Sequence, residues 1–123
     1  MLLKFTVKTS DLKEALKKLN SHFKNSNALF FEFKDYNLRL WVHDLRFDDI
    51  FDYEISVIQF ENKSSIGWIA LDKEQIKQFK HAIKYYKNEF ITIEIKENEN
   101  YKLRLPRSLK YKLIVNGHEI EIT

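Results

Sequence analysis

Lysine recurs in this chain at spacings that gather ammonium groups on one side of a helix. Lys73, Lys77, Lys80, Lys84 and Lys87 follow one another at intervals of four, three, four and three residues. At about 100° per residue they occupy a sector about 80° wide, centred roughly 100° from the apolar positions of the same segment. Lys13, Lys17 and Lys24 form a narrower stripe in a similar relation to their own apolar face, and Lys18 lies off it. A charged group on a flexible stem neutralises phosphate without demanding a particular base or a fixed angle, so such stripes suit a duplex backbone. Exposed lysine also serves solubility, but a merely solvated helix tends to mix signs. No acid falls within the 73–87 stripe.

Charge is unevenly distributed along the chain. The net formal charge is only +3, yet residues 10–24 carry a balance of +2 and residues 71–88 a balance of +3, leaving −2 for the remainder. Segment 44–54 holds Asp44, Asp48, Asp49, Asp52 and Glu54 against Arg46 alone. Positive charge is thus concentrated on two segments and negative charge on a third.

Other chemistry is less well supported. His43 and Asp44 with Asp48, Asp49 and Asp52 contain metal-ligand types. Adjacent residues of a strand point to opposite faces, so His43 and Asp44 do not readily share an ion, and the other three aspartates read as a solvated corner. His22, His81 and His118 have no partner nearby in sequence and are expected as ordinary surface residues. No glycine-rich phosphate loop and no Ser/His/Asp spacing occurs. No catalytic residue, metal or cofactor is therefore expected, and the chain does not read as an enzyme. Trp41, Trp68, Tyr85 and Tyr101 raise a different possibility, a stacking platform for single-stranded nucleic acid. Most aromatics, however, sit on alternating apolar faces and read as core.

The elements that must position these side chains follow from periodicity. Leu3, Phe5 and Val7 alternate with polar residues, giving a half-buried strand. Thr9-Ser10-Asp11 offers an N-cap, and Leu12, Ala15, Leu16, Leu19 and Phe23 give a helix over 10–24 that Asn25-Ser26-Asn27 stops. Alternating strands follow around 29–33, 38–42 and 51–57, then a polar loop over 61–65. A short strand over 66–71 leads to Asp72 and Gln75, a capping box, and to a second helix over 73–87. Further strands are expected around 91–95, 101–105, 109–115 and 120–122, with Asn116-Gly117 as a hairpin turn. The order is strand–helix–three strands, written twice. At an offset of 64 residues Leu12, Ala15 and Leu19 fall on Ile76, Phe79 and Ile83. The expected fold is α+β, with two helices side by side on one face of antiparallel sheets and a pseudo-two-fold between the halves.

The 123 residues read as one domain, 1–123, with 44% hydrophobic residues to fill a core. Two glycines and one proline leave little room for linkers. The absence of cysteine excludes disulfides and thiolate metal sites and makes a cytoplasmic protein the expectation. No apolar run approaches the roughly 20 residues of a membrane helix, and the N-terminus enters an alternating pattern directly.

The order of elements resembles one domain of a bacterial sliding clamp, the beta subunit of DNA polymerase III. Leu3-Lys4-Phe5-Thr6-Val7 and the helix after it are similar to the first strand and helix of a clamp domain. Leu38-Arg39-Leu40-Trp41-Val42-His43-Asp44-Leu45 resembles the clamp strand that ends in a Thr-Asp-Leu-type corner, with His43 where the Thr usually stands. Ile69-Ala70-Leu71-Asp72-Lys73 and Arg107-Ser108 also sit in register. The resemblance covers about residues 2–115 and implies that the basic residues of the second helix, with Lys24, face duplex DNA. Clamp subunits carry three such domains and this chain has one, and the family's peptide pocket lies between two domains, so its residues have no counterparts here.

The expected function is a clamp-like replication processivity or accessory factor. It would bind double-stranded DNA without sequence preference through Lys13, Lys17, Lys24, Lys73, Lys77, Lys80, Lys84 and Lys87. Polymerases and other replication proteins are the expected protein partners, with no membrane partner. A ring of clamp domains uses six, so a one-domain chain is expected to form a homo-oligomer, by sheet extension at edge strands 38–43 or 109–122 and with help from the acidic segment 44–54. Two alternatives remain open: a clamp-fold module that binds or blocks a polymerase or clamp without touching DNA, and a single-strand binder.

Overall fold

A computed structural model describes residues Met1–Thr123. Its elements are β1 (Leu3–Lys8), α1 (Thr9–Phe23), β2 (Leu29–Lys34), β3 (Asn37–Asp44), β4 (Asp49–Asn62), β5 (Trp68–Leu71), α2 (Lys73–Ile83), β6 (Phe90–Glu97), the short α3 (Glu99–Lys102), β7 (Tyr111–Val115) and β8 (His118–Ile122). Every strand pairing is antiparallel, and the eight strands form one sheet in the order β5-β2-β3-β4-β1-β6-β7-β8. The edge strands β5 and β8 approach each other, so the sheet nearly closes into a barrel.

Period-two patterning decides which side is buried. Leu29, Phe31 and Phe33 of β2, Leu38, Leu40 and Val42 of β3, and Ile91, Ile93 and Ile95 of β6 all turn inward. The apolar stripes of the two helices meet them there. Leu12, Ala15, Leu16, Leu19 and Phe23 of α1 and Ile76, Phe79, Ala82 and Ile83 of α2 join the strands in a single cluster of 29 buried residues. Both halves of the chain feed one core.

The repetition read from the sequence is also topological. β1–α1–β2–β3–β4 and β5–α2–β6–β7–β8 have the same order, with α3 inserted between β6 and β7. Within the sheet, β2-β3-β4-β1 matches β6-β7-β8-β5, and the halves join through the antiparallel pairs β1–β6 and β2–β5. α1 packs on β1, β3 and β4, and α2 packs on the corresponding β5, β7 and β8. The connectivity is that of a pseudo-two-fold. Residues 64 apart share their environment beyond the helices: Phe5 and Ile69, and Val7 and Leu71, are all buried.

Several elements differ from the periodic reading. Residues 101–105 do not form a strand. Tyr101, Leu103 and Leu105 are exposed in and after α3. The buried Asn98 closes this excursion, accepting from the Asn100 N–H and donating its amide to the Leu109 carbonyl. Arg104 and Arg107 have φ of 56° and 62°, which extended pairing does not tolerate. α2 ends at Ile83, with Lys84 as its C-cap, four residues short of the expected end. Its start matches the sequence: Asp72 Oδ1 accepts from the Gln75 N–H at 2.8 Å and Gln75 Oε1 accepts from the Asp72 N–H at 2.8 Å. By contrast, α1 begins at Thr9 after Lys8, with no side-chain cap from the Thr9-Ser10-Asp11 cluster.

β3 is interior, not an edge. β4 is long enough to pair with β3 through Asp49–Ser56 and with β1 through Val57–Asn62, bending at a bulge around Ile58. It therefore covers the flank of β3 that a shorter strand would leave open. β7 is interior as well, so within 109–122 only β8 lies at an edge.

Candidate nucleic-acid interface

α1 and α2 lie side by side and antiparallel, and lysines make the contacts between their ends. Lys13 Nζ donates to the carbonyl oxygen of Tyr86 at 2.7 Å and reaches that of Lys84 at 3.4 Å. Lys73 Nζ donates to the Lys24 carbonyl at 3.1 Å. Helix ends leave such carbonyls without intrahelical partners, and the dipole makes them attractive to cations. Midway along the seam, Lys80 Nζ donates to Asn20 Oδ1 at 2.7 Å and stands 5.6 Å from the centre of the Phe23 ring.

Two shallow depressions run along this seam, with volumes of about 580 and 600 Å³. Lys13, Lys17, Lys80 and Lys84 line one; Lys24, Lys73, Lys77, Lys80 and Arg46 line the other. No Asp or Glu lines either. The structure thus brings together seven of the eight lysines expected at the interface. Lys87 lies beyond the end of α2 and lines neither depression, and Lys18 is likewise outside both. Lys13 is half-buried and engaged with α2, so it serves as a tie between the helices as well as a charge.

No carboxylate neutralises this face. Lys63, Lys96, Lys102 and Lys112 each have a carboxylate within 4.0 Å, whereas none of the eight interface lysines does. Unneutralised cations clustered in a concave surface raise the local potential and concentrate polyanions.

An ionic cluster around a buried aspartate borders this face. Asp44 is fully buried at the end of β3. Arg46 Nη2 donates to its Oδ2 at 2.9 Å, the Arg46 backbone N–H donates to Oδ1 at 3.0 Å, and His22 Nδ1 lies 2.7 Å from Oδ2. The hydrogen bonds from the Arg46 side chain, reinforced by His22, hold the carboxyl well below the usual carboxylate range despite its burial. An ionised carboxylate only accepts, so His22 Nδ1 carries the hydrogen and donates. The His22 ring also stacks on Phe51, with centroids 3.8 Å apart and planes 12° from parallel. The cluster fastens the end of α1 to the β3–β4 corner and fixes Arg46 at the rim of one lysine depression.

His22 is thus a fastening residue, not an isolated surface one. One signal was present in the sequence: Asp44 shares the inward parity of Leu38, Leu40 and Val42, and an acid at such a position demands partners. His43, on the opposite face of β3, meets Asp48 at 2.8 Å. His81 and His118 pair edge to face at 5.9 Å, so they too have a partner that their sequence separation concealed. The four aromatics that suggested a stacking platform do not converge. Trp41 stacks on Phe30 and Trp68 leans on the same ring, but Tyr85 follows α2 and Tyr101 lies in α3.

The Asp44 cluster has a pH consequence. A carboxyl held low in the folded chain stabilises the fold fully above its unfolded value, near 3.9, and loses that contribution as pH falls toward the folded value. Thermal melts should therefore show stability declining below about pH 4. Asp44→Asn should melt lower than the parent at neutral pH and show a shallower acid decline. Parallel pH profiles for the two proteins would argue against this role for Asp44.

Comparison with protein-family models and with curated proteins finds no match for this chain.

Proposed function

We propose that this chain is a clamp-like domain that binds duplex DNA without sequence preference through the seam between α1 and α2, serving replication as a processivity or accessory factor. The observation that carries the reading is the acid-free convergence of Lys13, Lys17, Lys24, Lys73, Lys77, Lys80 and Lys84 on one face, none with a carboxylate partner. The twice-written strand–helix–three-strand order, with both helices on one side of the sheet, supports the likeness to a clamp domain.

Contact limited to phosphates has a characteristic salt response, because each neutralised phosphate releases condensed counterions. With about four lysines engaged per protomer, the logarithm of the binding constant should fall with the logarithm of salt concentration at a slope of roughly −3 to −4. Fluorescence anisotropy with short linear duplexes of unrelated sequence measures both the slope and the indifference to sequence. Preference for single strands, or no binding to duplex at low salt, overturns the reading. Comparing linear with nicked circular duplex then separates topological retention from simple adhesion. Encircling a duplex requires several copies, because one domain spans only part of such a ring.

A second reading, a module that binds another protein, has one observation in its favour: a depression lined by Phe30, Trp41, Asp48 and Asp49 on the sheet face turned away from the helices.

A further inference from the structure

The sheet face turned away from the helices is not uniformly polar. Outward parity brings Phe30 of β2 against Trp41 of β3, stacked at 4.1 Å with planes 10° apart. Trp68 of β5 leans on Phe30 at 5.8 Å and is 60% exposed. Phe30 and Trp41 continue into a depression of about 560 Å³, where they are joined by Leu45, Ile50, Asp48 and Asp49. Leu45 and Ile50 are about half exposed. No element of the chain covers this strip. Asp48 is bound only to His43, Asp52 beside it is held by Arg39, and Asp49 has no cationic partner. The rim is acidic.

The excursion between β6 and β7 has the complementary character. Residues 101–110 contain Lys102, Arg104, Arg107 and Lys110 and no acid. Leu103 is 71% exposed, and Leu105 and Tyr101 are about half exposed. Lys102 is paired with Glu97 and Lys110 stands over the Tyr111 ring, whereas Arg104 and Arg107 have no carboxylate partner. Both arginines also have positive φ.

No residue of the 101–110 loop lines the depression of its own chain, which is left open.

We propose that the 101–110 loop of one copy docks in the aromatic depression of the next, with Leu103 and Leu105 against Trp41 and Ile50 and with Arg104 and Arg107 at Asp48 and Asp49. This is a heterologous, head-to-tail contact, which generates closed rings or open chains of copies according to its rotation. It supplies the copies that the clamp-like reading calls for and rests on that reading only in this respect; its residues are separate from the lysine seam. It also covers an exposed apolar strip that otherwise stays in water.

Sedimentation velocity of the full chain without DNA, at low and high salt, tests it with two charge-altered proteins. One carries Asp48→Asn with Asp49→Lys; the other carries Arg104→Glu with Arg107→Glu. The parent should self-associate with rising concentration and less so at high salt. Each variant alone should associate at least about tenfold more weakly. Mixing the two should restore a dimer, because one retains an intact loop and the other an intact depression. Leu103→Ser, at an exposed position of ordinary backbone, should weaken association without lowering the melting temperature and provides a second probe if a charge variant folds poorly. A parent that stays monomeric at its highest soluble concentration overturns the proposal, as does association that both variants retain or a mixture that stays monomeric. Duplex binding by the parent is scored separately: lost DNA binding with intact association sinks the lysine-seam reading alone, and intact DNA binding by a strict monomer sinks this contact alone.

Discussion

Replacing Lys77, Lys80 and Lys84 together by Glu should abolish duplex binding at moderate salt, a loss of at least about 100-fold, while leaving thermal stability nearly unchanged. The substitutions take the net charge from +3 to −3 and place three acids in a seam that has none. All three side chains are exposed. Their visible contacts are limited to the Lys80–Asn20 hydrogen bond, the approach of Lys80 to Phe23 and that of Lys84 to Tyr85. Exposed pairs of this kind contribute little to folding, so binding and stability should separate cleanly. Lys18→Glu, outside both depressions, should cost no more than a few-fold. Lys13 makes a poorer reversal target, because its ammonium also caps the end of α2 and its removal would mix binding with packing. Anisotropy titrations with the parent, the triple variant and Lys18→Glu decide the matter. If the triple variant keeps its affinity within a few-fold, the lysine seam is a solvated surface.

Phe79→Ala should be the most damaging of these substitutions for the fold, costing about 3–5 kcal/mol. Phe79 has no exposed surface and meets Phe31 of β2 edge to face, with centroids 5.5 Å apart. It lies on the inner side of the helix that carries the Lys73–Lys84 stripe, so its loss leaves a cavity between α2 and the sheet. For a domain of this size, the melting temperature should fall by roughly 10–20 °C. Trp68→Ala removes a larger side chain from the outer face and should cost under about 1.5 kcal/mol, because that ring is mostly in water. Urea unfolding of the three proteins compares them directly. Equal costs at the two positions would mean that the outer strip, and not the shared core, holds this sheet together.

The sequence by itself determined the parts of the molecule that obey a local rule. Alternation at Leu3-Phe5-Val7 or Leu29-Phe31-Phe33 leaves one face to bury, and spacing such as Leu12-Leu16-Leu19-Phe23 leaves one side of a helix. The register 64 residues on repeats both, so the twofold order of strands and helices was legible. So was the capping box at Asp72, whose two hydrogen bonds lie within one turn. The lysine sectors were legible for the same reason, since the helical angle alone places Lys73, Lys77, Lys80 and Lys84 together.

Tertiary structure decided everything that depends on which segments meet. Tyr101, Leu103 and Leu105 alternate like a strand, but the buried Asn98 and two positive-φ arginines turn that stretch into a loop. β3 lies inside the sheet because the long, bulged β4 covers the flank that a shorter strand would leave open. The antiparallel contact of α1 with α2 merged two separate stripes into one seam and turned Lys13 and Lys73 into helix caps across it. His22 and Asp44, 22 residues apart, found each other only because the corner after β3 folds under the end of α1. A hydrogen bond or an ion pair is satisfied within a few ångströms, and sequence separation carries no information about that distance once the chain turns back on itself.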